Sequence, residues 1–187
     1  MRIQSAENGS EEYRVEGYAS TFEPYVLFTR DDVDYSEVID RDAFENADLS
    51  DVVFRFDHEG RVYARSSART LEVGTDDHGL SIKADLSKSQ TAREAFEDIK
   101  AGNYPKMSFA FTVADSEFDN ATHTRKIHRI AKVFDVSPVS FPANPTTELS
   151  VSTRDYFNGV IEAEKAERLE AERREQQKQK IKLLTEV

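Results

Sequence analysis

Tyr104-Pro105-Lys106-Met107-Ser108-Phe109-Ala110-Phe111-Thr112-Val113 alternates large apolar side chains with small or polar ones over its last seven positions. Period-two alternation marks a half-buried strand. It puts Phe109, Phe111 and Val113 on one face and Ser108, Ala110 and Thr112 on the other. Just before it, Ala92, Ala95, Phe96 and Ile99 recur at helical spacing as one apolar face. Thr91-Ala92-Arg93-Glu94 has the spacing of a capping box at the start of that helix, and Gly102 suits its C-terminal end. Further out, Tyr13 to Ala19, Asp51 to Phe56, and the alternating Leu80, Ile82, Ala84 and Leu86 read as strands, and Arg61 to Ala64 as the start of another. Asp77-His78-Gly79 is a turn signal. Ile127 to Val136 reads as a further strand, with Ile130, Phe134 and Val136 sharing a face, before Pro138, Pro142 and Pro145 end regular structure. Arg41 to Ala47 is predicted as a short helix. Many short strands with two helices predict a mainly β, α+β fold: an antiparallel barrel or sandwich with helices outside.

The chain has 187 residues, no cysteine and a formal net charge of −11. That length suits one domain with room for an appendage, and a domain of this size hides roughly 70% of its unfolded surface. Without cysteine there is no disulfide framework, thiol nucleophile or thiolate metal site. The longest unbroken apolar run, Tyr25-Val26-Leu27-Phe28, is far short of the ~20 residues of a membrane span. The first residues carry no apolar signal core, and the expectation is a soluble intracellular protein. The negative balance argues against nonspecific nucleic-acid binding, which depends on Lys and Arg neutralising phosphates.

Texture changes near Arg154, and the expected domains are 1–154 and 155–187. Residues 155–187 carry 8 acidic and 7 basic side chains with no proline, whereas residues 1–154 carry 28 and 18. The tail is predicted to be helical or disordered. Glu164 with Arg168 and Glu170 with Arg174 are favourable i, i+4 pairs, but the apolar stripe Val160, Ala163, Ala166 and Leu169 is thin. It reads either as a solvated segment or as a partner-binding, removable one.

Four histidines are present. His58 closes a strand ahead of a glycine turn, a position that suits a cleft and equally a surface loop. His78 lies in a turn. His123 and His128 sit in a polar hairpin, where a metal would need a third ligand that has no obvious spacing. Ser108 begins an apolar strand where serine packs poorly. A serine nucleophile needs a base within hydrogen-bond reach and a group orienting the base. The segment is not a Gly-x-Ser-x-Gly elbow, so the α/β-hydrolase template fails. Asp135 lies near the end of an apolar strand. It either faces water or needs a partner, for which histidine is natural.

Taken in order, these segments resemble the tailed-bacteriophage prohead proteases, maturation enzymes of capsids that are similar in fold to the herpesvirus assemblin proteases. The matching pieces are Val15 to Phe22, Val38 to Phe44, Val53 to His58, Asp76 to Leu86, Ile99 to Gly102 with Met107 to Phe111, and Phe134 to Pro145. The resemblance covers about residues 13 to 153. It implies an antiparallel β-barrel of the herpesvirus-protease type with a charged C-terminal tail. Carried over by position, it implies His58 as general base, Ser108 as nucleophile and Asp135 as the acidic third member. Three departures stand out. Ala110 occupies a position where the family often has glycine. Asp135 stands where glutamate is common. Asp57-His58-Glu59 stands where many members have Asn-His-Asp. The assemblin relatives use a second histidine, which makes His128 a rival for the third role.

The implied chemistry is acyl transfer to serine without a cofactor. Tyr104 and Lys106 are candidates for the substrate groove. The implied substrates are the scaffold segment of the major capsid protein and the protease itself, inside the immature procapsid in the host cytoplasm. The implied partners are the capsid protein and further copies of the chain, with no nucleic acid and no membrane. Other readings are a catalytically inactive assembly module on the same fold, a small-molecule esterase with an enclosed pocket, and a metal hydrolase using His123 and His128.

Overall fold

The computed structural model describes residues 2–4, 13–140 and 151–185. Phe141 to Pro145, the end of the last matching segment above, lie outside the described residues. In chain order the described elements are β1 (Arg2–Gln4), β2 (Arg14–Thr21), β3 (Tyr25–Arg30), β4 (Val33–Ile39), β5 (Val53–Phe56), β6 (Glu59–Arg65), β7 (Leu71–Thr75), β8 (Gly79–Asp85), α1 (Gln90–Lys100), β9 (Lys106–Asp119), β10 (Thr124–Val139) and α2 (Val151–Thr185). The class is the expected mainly β, α+β one.

The strands do not close into the expected antiparallel barrel. They form two open sheets, one with the order β1-β2-β8-β7 and one with the order β3-β4-β10-β5-β6 and β9 also on β10. Closure requires the outer strands to pair. Among the described residues, β1 and β7 of one sheet and β3 and β6 of the other have no second neighbour. The larger sheet is also mixed. β10 pairs antiparallel with β9 along one edge. Its other edge takes β4 in parallel at Thr124 to Ile127 and β5 in parallel at Asp135 and Val136. Residues 40–48 fill the gap between these partners: Asp40 N and Asp48 N donate to the Ile127 and Ala131 carbonyls, and Ile130 N donates to the Ala43 carbonyl. That strand-like bonding explains why Arg41 to Ala47 is a chain of turns, bonded i to i+3, rather than the predicted helix.

β10 also departs from simple alternation. Its register against β9 advances by an extra residue at His128, Ala131 and Phe134. Bulges of this kind shift every following side chain to the opposite face. The fully buried apolar residues are therefore Ile127, Ile130, Val133 and Val136, at three-residue intervals, and Phe134 is exposed instead of sharing their face. Pro138 is tolerated inside the strand. Its carbonyl accepts from Asp57 N at 3.0 Å, so its missing N–H lies on the β5 side, past the last β5–β10 pair, and no β9 bond is lost.

The core joins Val15, Phe54, Leu80, Ile82, Leu86, Phe96, Ile127, Ile130, Val133 and Val136. Helix α1 buries the predicted face of Ala92, Ala95, Phe96 and Ile99, and Gly102 takes φ +85°. Its cap is Ser89, whose Oγ accepts from Ala92 N at 3.1 Å, and not the Thr91–Glu94 box. α2 belongs to a separate unit, residues 149–187. Among its ion pairs is the predicted Glu170–Arg174 at 3.5 Å; the Glu164 side chain lies outside the described residues. No helix among the described residues is long and apolar enough to cross a membrane.

Candidate active site

β5 and β6 are joined by the two residues Asp57 and His58, with Phe56 paired to Glu59. Both have positive φ, 47° and 58°, the conformation of a type I′ turn, whose twist matches that of the strands. Aspartate and histidine accept this region better than most residues, yet it still carries strain. The strain is offset by fastening the turn to the end of β10. Asp57 N donates to the Pro138 carbonyl at 3.0 Å, and Asp57 Oδ1 accepts from Ser140 N at 2.9 Å and Ser140 Oγ at 3.1 Å.

So held, His58 meets Asp135. His58 Nδ1 lies 2.7 Å from Asp135 Oδ1. A carboxylate only accepts, so Nδ1 carries the proton and Nε2 of the neutral ring is left as the base. Asp135 is 0% exposed. The bulge at Phe134 puts it on the face opposite to that expected from alternation. Its Oδ1 also accepts from Ser137 Oγ at 2.8 Å, and its Oδ2 accepts from Arg55 Nη2 at 2.8 Å and Nε at 3.3 Å. Burial pushes this carboxyl up, but donation from His58, Arg55 and Ser137 together holds it below the ordinary carboxylate range.

Ser108 sits on β9 directly across from Ser137, and Ala110 across from Asp135. Side chains two apart on a strand share a face, as do directly opposed pairs. Ser108 therefore occupies the sheet face that carries Asp135 and Ser137. No hydrogen bond joins Ser108 to His58 among the described residues; such bonds are often long in ligand-free sites and tighten with substrate.

The model of the caudovirus prohead serine proteases matches residues 1–160. The chain belongs to this family. Comparisons with curated proteins and with solved structures gave no match. In this prohead protease chain the matched stretch contains His58, Ser108 and Asp135 together with the other predicted residues, His78, Tyr104, Lys106, His123 and His128.

His128, the rival third member, is seven residues up β10, roughly 20 Å at the usual rise. Its Nδ1 contacts Asp40 Oδ2 at 2.7 Å and its Nε2 lies 3.4 Å from Glu117 Oε1, so both nitrogens are engaged away from His58. The bond to Asp40 raises its pKa above the ordinary histidine value. His123 lies edge-on against Tyr35, in the turn between β9 and β10, and His78 against Tyr18. Among the described residues no group of three or more metal-binding side chains is placed to hold an ion. Tyr104 packs its ring on Phe56 at 4.1 Å, while Lys106 is exposed.

Arg55, Asp57, Ser137 and Ser140 all bond within this candidate site, and sequence reasoning assigned none of them a role. Arg55 left no usable signal, since a polar residue between Phe54 and Phe56 is what the alternation of a half-buried strand gives. Ser137 and Ser140 left none, since isolated serines near a proline are ordinary.

Proposed function

We propose that the chain is a capsid-maturation serine endopeptidase using Ser108, His58 and Asp135. The observation that supports this most is the 2.7 Å contact of His58 Nδ1 with the fully buried Asp135, on the sheet face that carries Ser108. Family membership supports the reaction class and a capsid protein as substrate. In this reading His58 Nε2 takes the Ser108 Oγ proton as Oγ attacks a peptide carbonyl, then delivers it to the leaving amine nitrogen. Water repeats the cycle on the acyl-enzyme. Asp135 fixes the tautomer and stabilises the imidazolium.

The finer reading extends to biology. The enzyme removes the scaffold segment of the major capsid protein and digests itself, packaged inside the immature procapsid in the host cytoplasm and acting as a homo-oligomer. Residues 1–154 are the protease domain, akin to the herpesvirus assemblins. Residues 155–187 are a scaffold-binding, removable segment. The test is co-expression of wild type and Ser108→Ala with the cognate capsid protein, following chain masses over time. Trimming of both proteins in the wild type only is the expected result. Identical behaviour of the two variants overturns Ser108 as nucleophile and favours an inactive assembly module.

A further inference from the structure

Asp135 is the most buried charged residue described, and its two oxygens are served unequally. Oδ1 takes two donors, the His58 imidazole and the Ser137 hydroxyl, whereas Oδ2 takes the Arg55 guanidinium. We infer that Arg55 is a positioning residue: by holding Oδ2 from the neighbouring strand, it fixes the plane of the Asp135 carboxylate so that Oδ1 faces His58 Nδ1. The inference rests on the serine-protease reading of this site.

Three features carry it. Nε and Nη2 of Arg55 converge on one oxygen, at 3.3 and 2.8 Å, which leaves the other oxygen to the imidazole. The guanidinium is permanently charged. It therefore neutralises Asp135 when the imidazole is neutral between turnovers, which the Ser137 hydroxyl cannot do. Finally, Arg55 and His58 belong to one hairpin, three residues apart and held in parallel register with β10. One rigid unit thus grips both oxygens of the carboxylate. The groups facing Asp135 are Arg55 and His58 from the β5–β6 hairpin, Ser137 from its own strand, and the uncharged Ser108 and Ala110 positions of β9. Arg55 is thus the one permanent cation bonded to Asp135 among the described residues. Its removal makes protonation of Asp135 easier, and the Asp135–His58 bond is then lost at a higher pH.

The test uses the full chain as wild type, Arg55→Gln and Arg55→Lys, with two readouts. The first is the low-field Nδ1–H resonance of His58 in protein labelled with 15N-histidine, assigned by its loss in His58→Gln and followed against pH. The second is the pH dependence of Ser108 labelling by a fluorophosphonate, in which Oγ displaces fluoride from phosphorus and His58 accepts the proton. Arg55→Gln is expected to lose the resonance at a higher pH than wild type. It should also label about 10²-fold more slowly, with its acid limb moved to higher pH. Arg55→Lys keeps the charge without the fork, and is expected to keep the acid limb but label roughly tenfold more slowly. A folded Arg55→Gln with unmoved resonance and acid limb overturns the inference, and so does Arg55→Lys labelling at the full rate, which also decides the matter if Arg55→Gln does not fold. If the wild type shows the resonance and its Arg55 dependence but Ser108 is not labelled, the serine-protease reading falls while the Arg55–Asp135–His58 arrangement stands.

Discussion

Burial alone would push the Asp135 carboxyl up, and the donors around it hold it down. A folded value below the unfolded one, ~3.9, contributes stability that is fully present above about pH 4 and is lost as pH falls through the folded value. The gap in denaturation midpoint between wild type and Asp135→Asn should therefore narrow as pH falls below about 4. A gap that keeps widening below that pH would contradict the assignment. His128 has the opposite sign. Its bond to Asp40 raises it above the unfolded value of ~6.5, so its contribution is present below that pH and disappears as pH rises through the folded value. Wild type should lose its advantage over His128→Gln as pH rises above about 6.5. His128→Gln should also keep peptidase activity, which an essential third triad member would not. Asp135→Asn should reduce kcat by about 10⁴-fold, as expected when the base is held in the wrong tautomer.

Among the elements, the hairpins set the geometry and can be tested by glycine substitution. Gly79 opens β8 opposite Thr21, just beyond the β2 bulge between Tyr18 and Ser20. A Cβ there would lie 2.1 Å from the Ser20 carbonyl oxygen and 2.8 Å from Thr21 Cα. Both are backbone atoms that cannot move aside without breaking the β2–β8 ladder. Gly79→Ala should cost about 3 kcal/mol or more in thermal or denaturant unfolding. Gly74→Ala on the paired strand would meet only Ser81 Oγ at 4.0 Å, and should stay within roughly 1 kcal/mol of wild type. Equal effects at the two positions would show that close backbone approach is not what fixes this edge. Helix α1 gives a second check: Ser89→Ala removes the bond to Ala92 N and should cost about 1 kcal/mol, whereas Thr91→Ala should cost less.

At the scale of the whole molecule, the sheet unit and α2 differ in what holds them. The sheets enclose a core of fully buried Phe54, Phe96, Leu80 and Ile130, with Phe54→Ala expected to cost about 3–5 kcal/mol. Helix α2 relies on spaced ion pairs such as Lys165–Glu162 and Glu170–Arg174, each worth only a few tenths of a kcal/mol. Limited trypsin digestion should therefore cut within residues 155–187 before it cuts residues 13–140, read by intact mass. Cleavage of the sheet unit first would sink the idea of a removable tail.

Local pattern alone determined the alternating face of β9, the apolar face of α1 and the strand that leads into the turn at His58. Each depends on neighbours within a few residues, where period and propensity act. Tertiary structure alone decided which face Asp135 takes, since three bulges in β10 arise from its pairing with β9. It also decided the parallel pairing of β5 with β10, which brings Arg55 and His58 to residues 77 or more positions away. Such contacts depend on register between distant strands, and register is set by how the whole core packs rather than by any one segment.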